Sequence, residues 1–140
     1  MSRVAYLRTG TVVALLALVG CNKGDSHNRQ AVSGTASIDG RMIPYGNIEF
    51  VPADGQPTTV SMEIKDGKFA MDRKGGLAPG KYIVRIQGFD GPPPPPADIP
   101  GVSVVAQPKM IVPEKFGTSS KESAVVKVDD KNEFTFALKN

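Results

Sequence analysis

One cysteine and one histidine limit the side-chain chemistry that this chain of 140 residues can support. His27 stands in a polar stretch before the strand-forming part of the sequence. A serine or threonine nucleophile in the strand-forming part would therefore have no histidine base beside it. A thiolate metal site needs several cysteines, and Cys21 is alone. The sequence therefore predicts no catalytic site, and we expect the protein not to be an enzyme.

Aspartates are the other candidates for chemistry, and most of them stand where a turn is expected. Asp39, Asp54 and Asp66 each precede a glycine, and aspartate is favoured in turns because its side chain bonds to nearby backbone groups. Asp129 and Asp130 could offer oxygen ligands to calcium, but that ion takes about six to eight oxygens and the sequence does not assemble them. We predict neither a metal nor a cofactor.

The segment before Cys21 is typical of an exported protein. Arg3 and Arg8 are basic, residues 12–19 form an apolar run, and no acidic residue occurs before Asp25. This order is that of a secretory signal peptide. The apolar run has eight residues, whereas a membrane-spanning helix needs about 20. We therefore expect residues 1–20 to be a cleaved signal peptide.

The residues that end this segment resemble a bacterial lipobox. Leu18, Val19 and Gly20 would be recognised by the signal peptidase, and Cys21 would carry the lipid on its thiol. More than one acyl chain is needed for a stable anchor, and a diacylglyceryl thioether supplies two acyl chains. We predict an exported protein anchored through Cys21 to the inner or outer membrane, facing the periplasm or the cell surface.

The remaining chain divides into a tether and one domain. Residues 21–30 are mostly polar and predict a flexible tether, and residues 31–140 have the length of a single domain. Without residues 1–20 the chain has 15 basic and 14 acidic side chains and no basic tract that would follow a phosphate backbone. We predict no nucleic-acid partner, and we expect a monomer.

Alternating apolar residues and glycine turns predict an all-β domain. Val60, Met62 and Ile64 alternate with polar residues, and Asp66 with Gly67 predicts a tight hairpin turn. Residues 123–128 and 133–138 are also strand-like, and we expect them to meet across residues 129–132. About seven such strands, with no segment of helical length, predict a seven-stranded antiparallel β-sandwich.

A proline-rich excursion, residues 89–118, interrupts the strand pattern. Its five consecutive prolines favour a polyproline II rod, which either stiffens a surface connection or presents a preformed face to a partner. Tyr45 and Phe89 are candidate exposed aromatics, whereas Tyr82 is expected to face the core. The residues predicted to bind a partner are Tyr45, Phe89, Pro92, Pro93, Pro94, Pro95 and Pro96.

Several stretches of the sequence resemble a known family. "VSGTASIDGRMIPYGNIEFVPADG", "IKDGKFAMDRKGGLAPGKYIVRIQG", "VPEKF" and "NEFTFAL" are similar to the transthyretin-like, or carboxypeptidase regulatory-like, domain of small planctomycete lipoproteins. The resemblance covers about residues 32–138 and implies a prealbumin-like sandwich of seven strands, with no settled activity. Some transthyretin-like hydrolases use several histidines and a C-terminal Tyr-Arg-Gly-Ser, and this chain has neither.

These patterns together predict a function without catalysis. We expect a membrane-anchored lipoprotein whose β-sandwich is a structural or interaction module of the cell envelope, with an envelope protein or a polysaccharide as its partner. The alternative is a carbohydrate- or peptide-binding module that uses the proline-rich loop at residues 89–100.

Overall fold

Strands form nearly all of the regular structure in the described residues. A computed structural model describes residues 27–94 and 106–140. Its elements are β1 (Val32–Ile38), β2 (Arg41–Met42), β3 (Tyr45–Pro52), β4 (Val60–Lys65), β5 (Lys68–Met71), β6 (Gly80–Phe89), a 3₁₀ turn (Glu114–Phe116), β7 (Ser123–Val126) and β8 (Asn132–Leu138). The all-β prediction is confirmed. Within those two ranges, no helix is long and apolar enough to cross a membrane.

The strands form one curled sheet in which all pairs except one are antiparallel. Its order is β8-β1-β5-β4-β3-β6-β7, and the short β2 extends the β5 edge of β1. β4 and β5 pair only through Lys65 and Lys68, so the sheet can fold over at this hairpin. Asp66 and Gly67 both have positive φ, 49° and 72°, which is the geometry of a type I′ turn. The predicted hairpin is therefore confirmed.

Aromatic side chains from both halves of the curled sheet meet in one core. Phe50 of β3 lies 6.2 Å from Phe69, 6.2 Å from Tyr82 and 6.4 Å from Phe136, measured between ring centroids. Phe69 and Phe136 belong to the half formed by β8, β1 and β5, whereas Tyr82 belongs to β6. The two halves therefore face each other across these rings. Tyr82 is 1% exposed, as the alternation in β6 predicted.

The expected pairing of the last two strands is wrong. β7 pairs with β6, and β8 runs parallel to β1 along its whole length, from Val32 beside Asn132 to Ile38 beside Leu138. The intervening turn carries the chain from one half of the sheet to the other. Within this turn, the side chain of Asn132 bonds to the backbone of Lys127. The prediction was wrong because it assumed that two strands adjacent in the sequence pair with each other.

Candidate functional site

The structure describes some of the predicted site residues and not others. Leu18, Val19, Gly20 and Cys21 lie outside the described residues. Of the partner-binding candidates, Pro95 and Pro96 also lie outside them, whereas Tyr45, Phe89, Pro92, Pro93 and Pro94 lie within. Tyr45 and Phe89 fall at one end of the curled sheet, and the three prolines follow Phe89 in the chain.

Tyr45 and Phe89 are direct neighbours on adjacent strands. Tyr45 begins β3 and Phe89 ends β6, and the two residues are partners in the β3–β6 register. Met110 pairs with Phe89 from the other side. Because paired residues of antiparallel strands project to the same face, with Cβ atoms about 4.5–5.5 Å apart, the three side chains form one line. We call Tyr45, Phe89 and Met110 the aromatic row.

The aromatic row lies on the outer face of the sheet because glycines occupy the inner positions beside it. A Cβ on Gly46 would collide with the carbonyl oxygen of Gln87. A Cβ on Gly88 would come within 2.6 Å of Val112 and 2.7 Å of Ile43. Ile43 and Val112 therefore close the end of the core, and Tyr45 and Phe89 remain partly exposed outside it.

The part of the proline-rich excursion between Phe89 and Met110 starts and ends beside the aromatic row. The backbone N–H of Asp90 donates to the carbonyl of Lys109 over 3.0 Å, and the N–H of Lys109 donates to Oδ1 of Asp90 over 2.7 Å. The N–H of Ile111 donates to the carbonyl of Gly88 over 2.9 Å. These bonds close the base of the excursion, so Phe89 is the last residue of a strand and not part of a free loop.

Polar side chains form the next line along the same outer face. Glu63, Asn47 and Gln87 occupy successive strands there. A hydrogen bond to the Glu63 carboxylate is the main cause that raises the pKa of Tyr45 above 10.0. Asn47 exchanges hydrogen bonds with Ser61, at 2.8 and 3.0 Å.

A small cavity of about 210 Å³ lies next to the base of the excursion. Four apolar and four polar residues line it: Ile38, Met42, Pro44, Ile111, Asp39, Arg41, Asp90 and Asn140. Met42 and Met110 are each 46% exposed. The cavity has the size to receive one side chain, with apolar and charged groups in its wall. We call this cavity and the aromatic row together the loop pole.

The opposite end of the molecule receives the predicted tether. Gln30 forms an isolated bridge with Leu77, which precedes β6, whereas Phe89 ends that strand. The side chain of Gln30 is 4% exposed, and its amide donates to the carbonyl of Asn28 over 2.7 Å. We call this end the tether pole. β6 has ten residues, so the two poles lie about 30 Å apart at roughly 3.3 Å per residue.

Sequence reasoning selected part of the loop pole and missed the rest. It named Tyr45 and Phe89 as aromatics but did not place them together, and it did not name Met42, Met110 or Arg41. Those residues come from distant parts of the chain and carry no motif. In residues 27–94 and 106–140, no group of three or more His, Cys, Asp or Glu side chains could hold a metal ion. The loop pole offers apolar surface and hydrogen-bonding groups.

The comparisons with known proteins add no relative to this picture. No protein-family model, no curated protein and no solved structure matches the chain.

Proposed function

We propose that the protein is a lipid-anchored, non-catalytic lipoprotein of the cell envelope, whose β-domain contacts a partner through the loop pole. The observation that carries this proposal is the placement of the two poles at opposite ends of β6. A chain anchored through Cys21 reaches the domain at the tether pole. The loop pole then points away from the membrane, where a partner in the envelope can reach it.

The dimensions of the chain agree with this arrangement. The nine residues from Asn22 to Gln30 can span at most about 30 Å, at roughly 3.3 Å each. The domain adds about 30 Å between its poles. The loop pole would therefore stand between about 30 and 60 Å from the membrane surface.

We further propose that the curled sheet is a transthyretin-like β-sandwich. The support is that β8, β1 and β5 face β3 and β6 across a shared aromatic core. Such a fold is a scaffold and does not by itself imply an activity. The function therefore has to be tested at the poles.

The anchor is tested by replacing Cys21 with alanine. In cells that process lipoproteins, the wild-type chain should remain in the membrane fraction after a high-salt and carbonate wash, and Cys21→Ala should not. Asn22→Ala is the matched control, because it changes the next residue and leaves the thiol in place. Equal membrane retention of Cys21→Ala and wild type would contradict the proposed anchor.

The partner is tested by site-specific crosslinking in cells. A photoreactive residue at Met110 should capture one dominant envelope protein, because Met110 is exposed in the aromatic row. The matched control is the same residue at Thr135, which is exposed on β8, away from the loop pole. An identical set of captured proteins at both positions would contradict a partner site at the loop pole.

A second candidate function is binding of a carbohydrate or of an extended peptide. The observation that favours it is the adjacency of Tyr45 and Phe89, with the amides of Asn47 and Gln87 in the next line. Aromatic faces stack on apolar surfaces, and amides pair with hydroxyl or backbone groups. On glycan and peptide arrays, Phe89→Ala should lose binding, whereas Ile83→Ala, on the same face nearer the tether pole, should not. Equal loss in both variants would exclude this site.

A further inference from the structure

The tether pole carries a surface of its own. Val128 is 49% exposed in the turn between β7 and β8, and Val125 is 52% exposed on β7. Val125 is paired with Lys81, the second residue of β6, so it lies toward the same end of the molecule. Exposed valines next to lysines suit a boundary between an apolar and a charged medium.

Buried polar side chains fix this turn in place. Among the described residues, the buried polar side chains are Gln30 and Asn132, at 4% and 7% exposure. Asn132 accepts from the N–H of Lys127 over 2.8 Å and donates to the carbonyls of Lys127 and Asp130 over 3.0 and 3.1 Å. Gln30 accepts from the N–H of Asp129 over 3.0 Å. Val128 is therefore presented by a turn that is bonded directly to the last residue of the tether.

Cations outnumber anions in the segments that surround the tether. Arg73 donates to the carbonyl of Arg29 over 2.9 Å, and Arg29 donates to the carbonyl of Lys74 over 3.0 Å. The cations of residues 28–30, 72–74 and 127–133 are Arg29, Arg73, Lys74, Lys127 and Lys131, and the anions are Asp72, Asp129, Asp130 and Glu133. The ion pairs of Arg73 with Asp129 and of Lys127 with Asp130, at 3.4 and 4.0 Å, are well exposed. Water and salt weaken such exposed pairs, so the surplus of positive charge faces outward.

We propose that the tether pole docks on a membrane surface that contains anionic lipid headgroups. Val128 would lie at the apolar boundary, and Lys127, Lys131 and Lys74 would lie against the headgroups. This inference rests on the proposed function, because an anchor at Cys21 holds the pole within about 30 Å of the bilayer. A tether of that length gives a high effective concentration of the pole at the surface, so a small charged patch is sufficient.

The test attaches the chain to vesicles without relying on cellular lipidation. The chain from Cys21 onward, which contains every strand described above, is coupled through its single cysteine to a maleimide lipid. The vesicles contain either phosphatidylcholine alone or about 30% phosphatidylglycerol as the anionic lipid. The chain has no tryptophan, so Val128→Trp reports on the tether pole and Met110→Trp reports on the loop pole.

If the tether pole docks, the tryptophan fluorescence of Val128→Trp should shift to the blue on the anionic vesicles only. Brominated lipid in these vesicles should quench the same fluorescence. High salt should reverse the shift, and Met110→Trp should show none. When Lys127→Glu and Lys131→Glu are combined with Val128→Trp, the ratio of docked to undocked chain should fall by about tenfold or more. The matched charge control is Lys65→Glu with Lys68→Glu, a pair of exposed lysines at the opposite pole.

Several results would overturn the inference. No shift for Val128→Trp, equal shifts on both vesicles, or an equal effect of the control pair would each do so. The outcome is separate from that of the proposed function, because coupling to the maleimide lipid replaces the natural anchor. A failed Cys21→Ala experiment would remove the anchor and leave the vesicle result valid, and a failed vesicle experiment would leave the anchor intact.

Discussion

The two poles of this molecule are stabilised in different ways. At the tether pole, Gln30 and Asn132 bury their side-chain amides and bind backbone groups of the β7–β8 turn. At the loop pole, backbone bonds close the base of the excursion, and the exposed contacts are made by side chains such as Met42 and Met110. Directional bonds hold one surface in a single conformation, whereas methionine and aromatic contacts adapt to a partner. The comparison shows that directional side-chain bonds fix the tether pole, whereas the loop pole exposes side chains that can change their rotamers.

The largest effect is expected at the tether pole, from Asn132→Ala. The N–H of Lys127 and the carbonyls of Lys127 and Asp130 would lose their partner, which should lower the free energy of unfolding by about 2–3 kcal/mol. Urea denaturation of the purified chain measures this. Asn47→Ala, which removes an exposed bond to Ser61, should change the same quantity by about 0.5 kcal/mol or less. Similar losses in the two variants would remove the contrast between fixed and exposed amides.

The two tyrosines sharpen the comparison through their response to alkaline pH. Burial raises the pKa of Tyr82, whose hydroxyl donates to the carbonyl of Ala78 over 2.8 Å, and the bond to Glu63 is the main cause that raises the pKa of Tyr45. A folded-state pKa above the unfolded value of 10.0 gives stability that is complete below pH 10 and is lost as the pH rises through the folded-state pKa.

We therefore expect a urea midpoint that changes little between about pH 7 and 9 and falls above about pH 10. Tyr82→Phe should be less stable by about 1 kcal/mol at neutral pH, because it loses the bond to Ala78, but its alkaline decline should be shallower than that of wild type. Tyr45→Phe, the control on the surface of the loop pole, should remove less of the decline. An alkaline decline of Tyr82→Phe as steep as that of wild type would contradict this assignment.

A smaller effect is expected at the loop pole, from Asp90→Ala. The variant loses the bond from the N–H of Lys109 to the Asp90 carboxylate and should be less stable by about 1 kcal/mol in urea denaturation. Lys109→Ala is the matched control, because the backbone N–H of residue 109 remains and only the exposed side chain is removed. If Lys109→Ala destabilised the chain as much as Asp90→Ala, the Lys109 side chain would be the stabilising group.

The smallest effect on stability is expected from deleting residues 92–96. The stretch between Phe89 and Met110 would shorten from 20 to 15 residues, which changes the entropy of loop closure by only about 0.3 kcal/mol, in favour of folding. Scanning calorimetry should therefore give a nearly unchanged Tm, while crosslinking from Met110 or array binding is lost. A large fall in Tm would show that these prolines support the fold instead of recognition.

The local part of the fold could be predicted from the sequence. The β4–β5 hairpin followed from Asp66 with Gly67, because these residues tolerate the positive φ that the turn requires. The inward side of β6 followed from alternation, because successive side chains of a strand point to opposite faces. For the candidate site, residue type was enough to select Tyr45 and Phe89. It was not enough to place them side by side, since this depends on the register between β3 and β6.

The sequence by itself determined the strand segments, their buried sides and the tight turns. The N-terminal export segment stays a prediction, because it lies outside the described residues. Only the tertiary structure decided that β8 pairs with β1 in parallel, that Met110 joins Tyr45 and Phe89, and that Gln30 lies beside the β7–β8 turn. The physical reason is the range of the interactions. Backbone dihedral angles and side-chain alternation depend on adjacent residues, whereas pairing between distant strands depends on how all buried faces are covered at once.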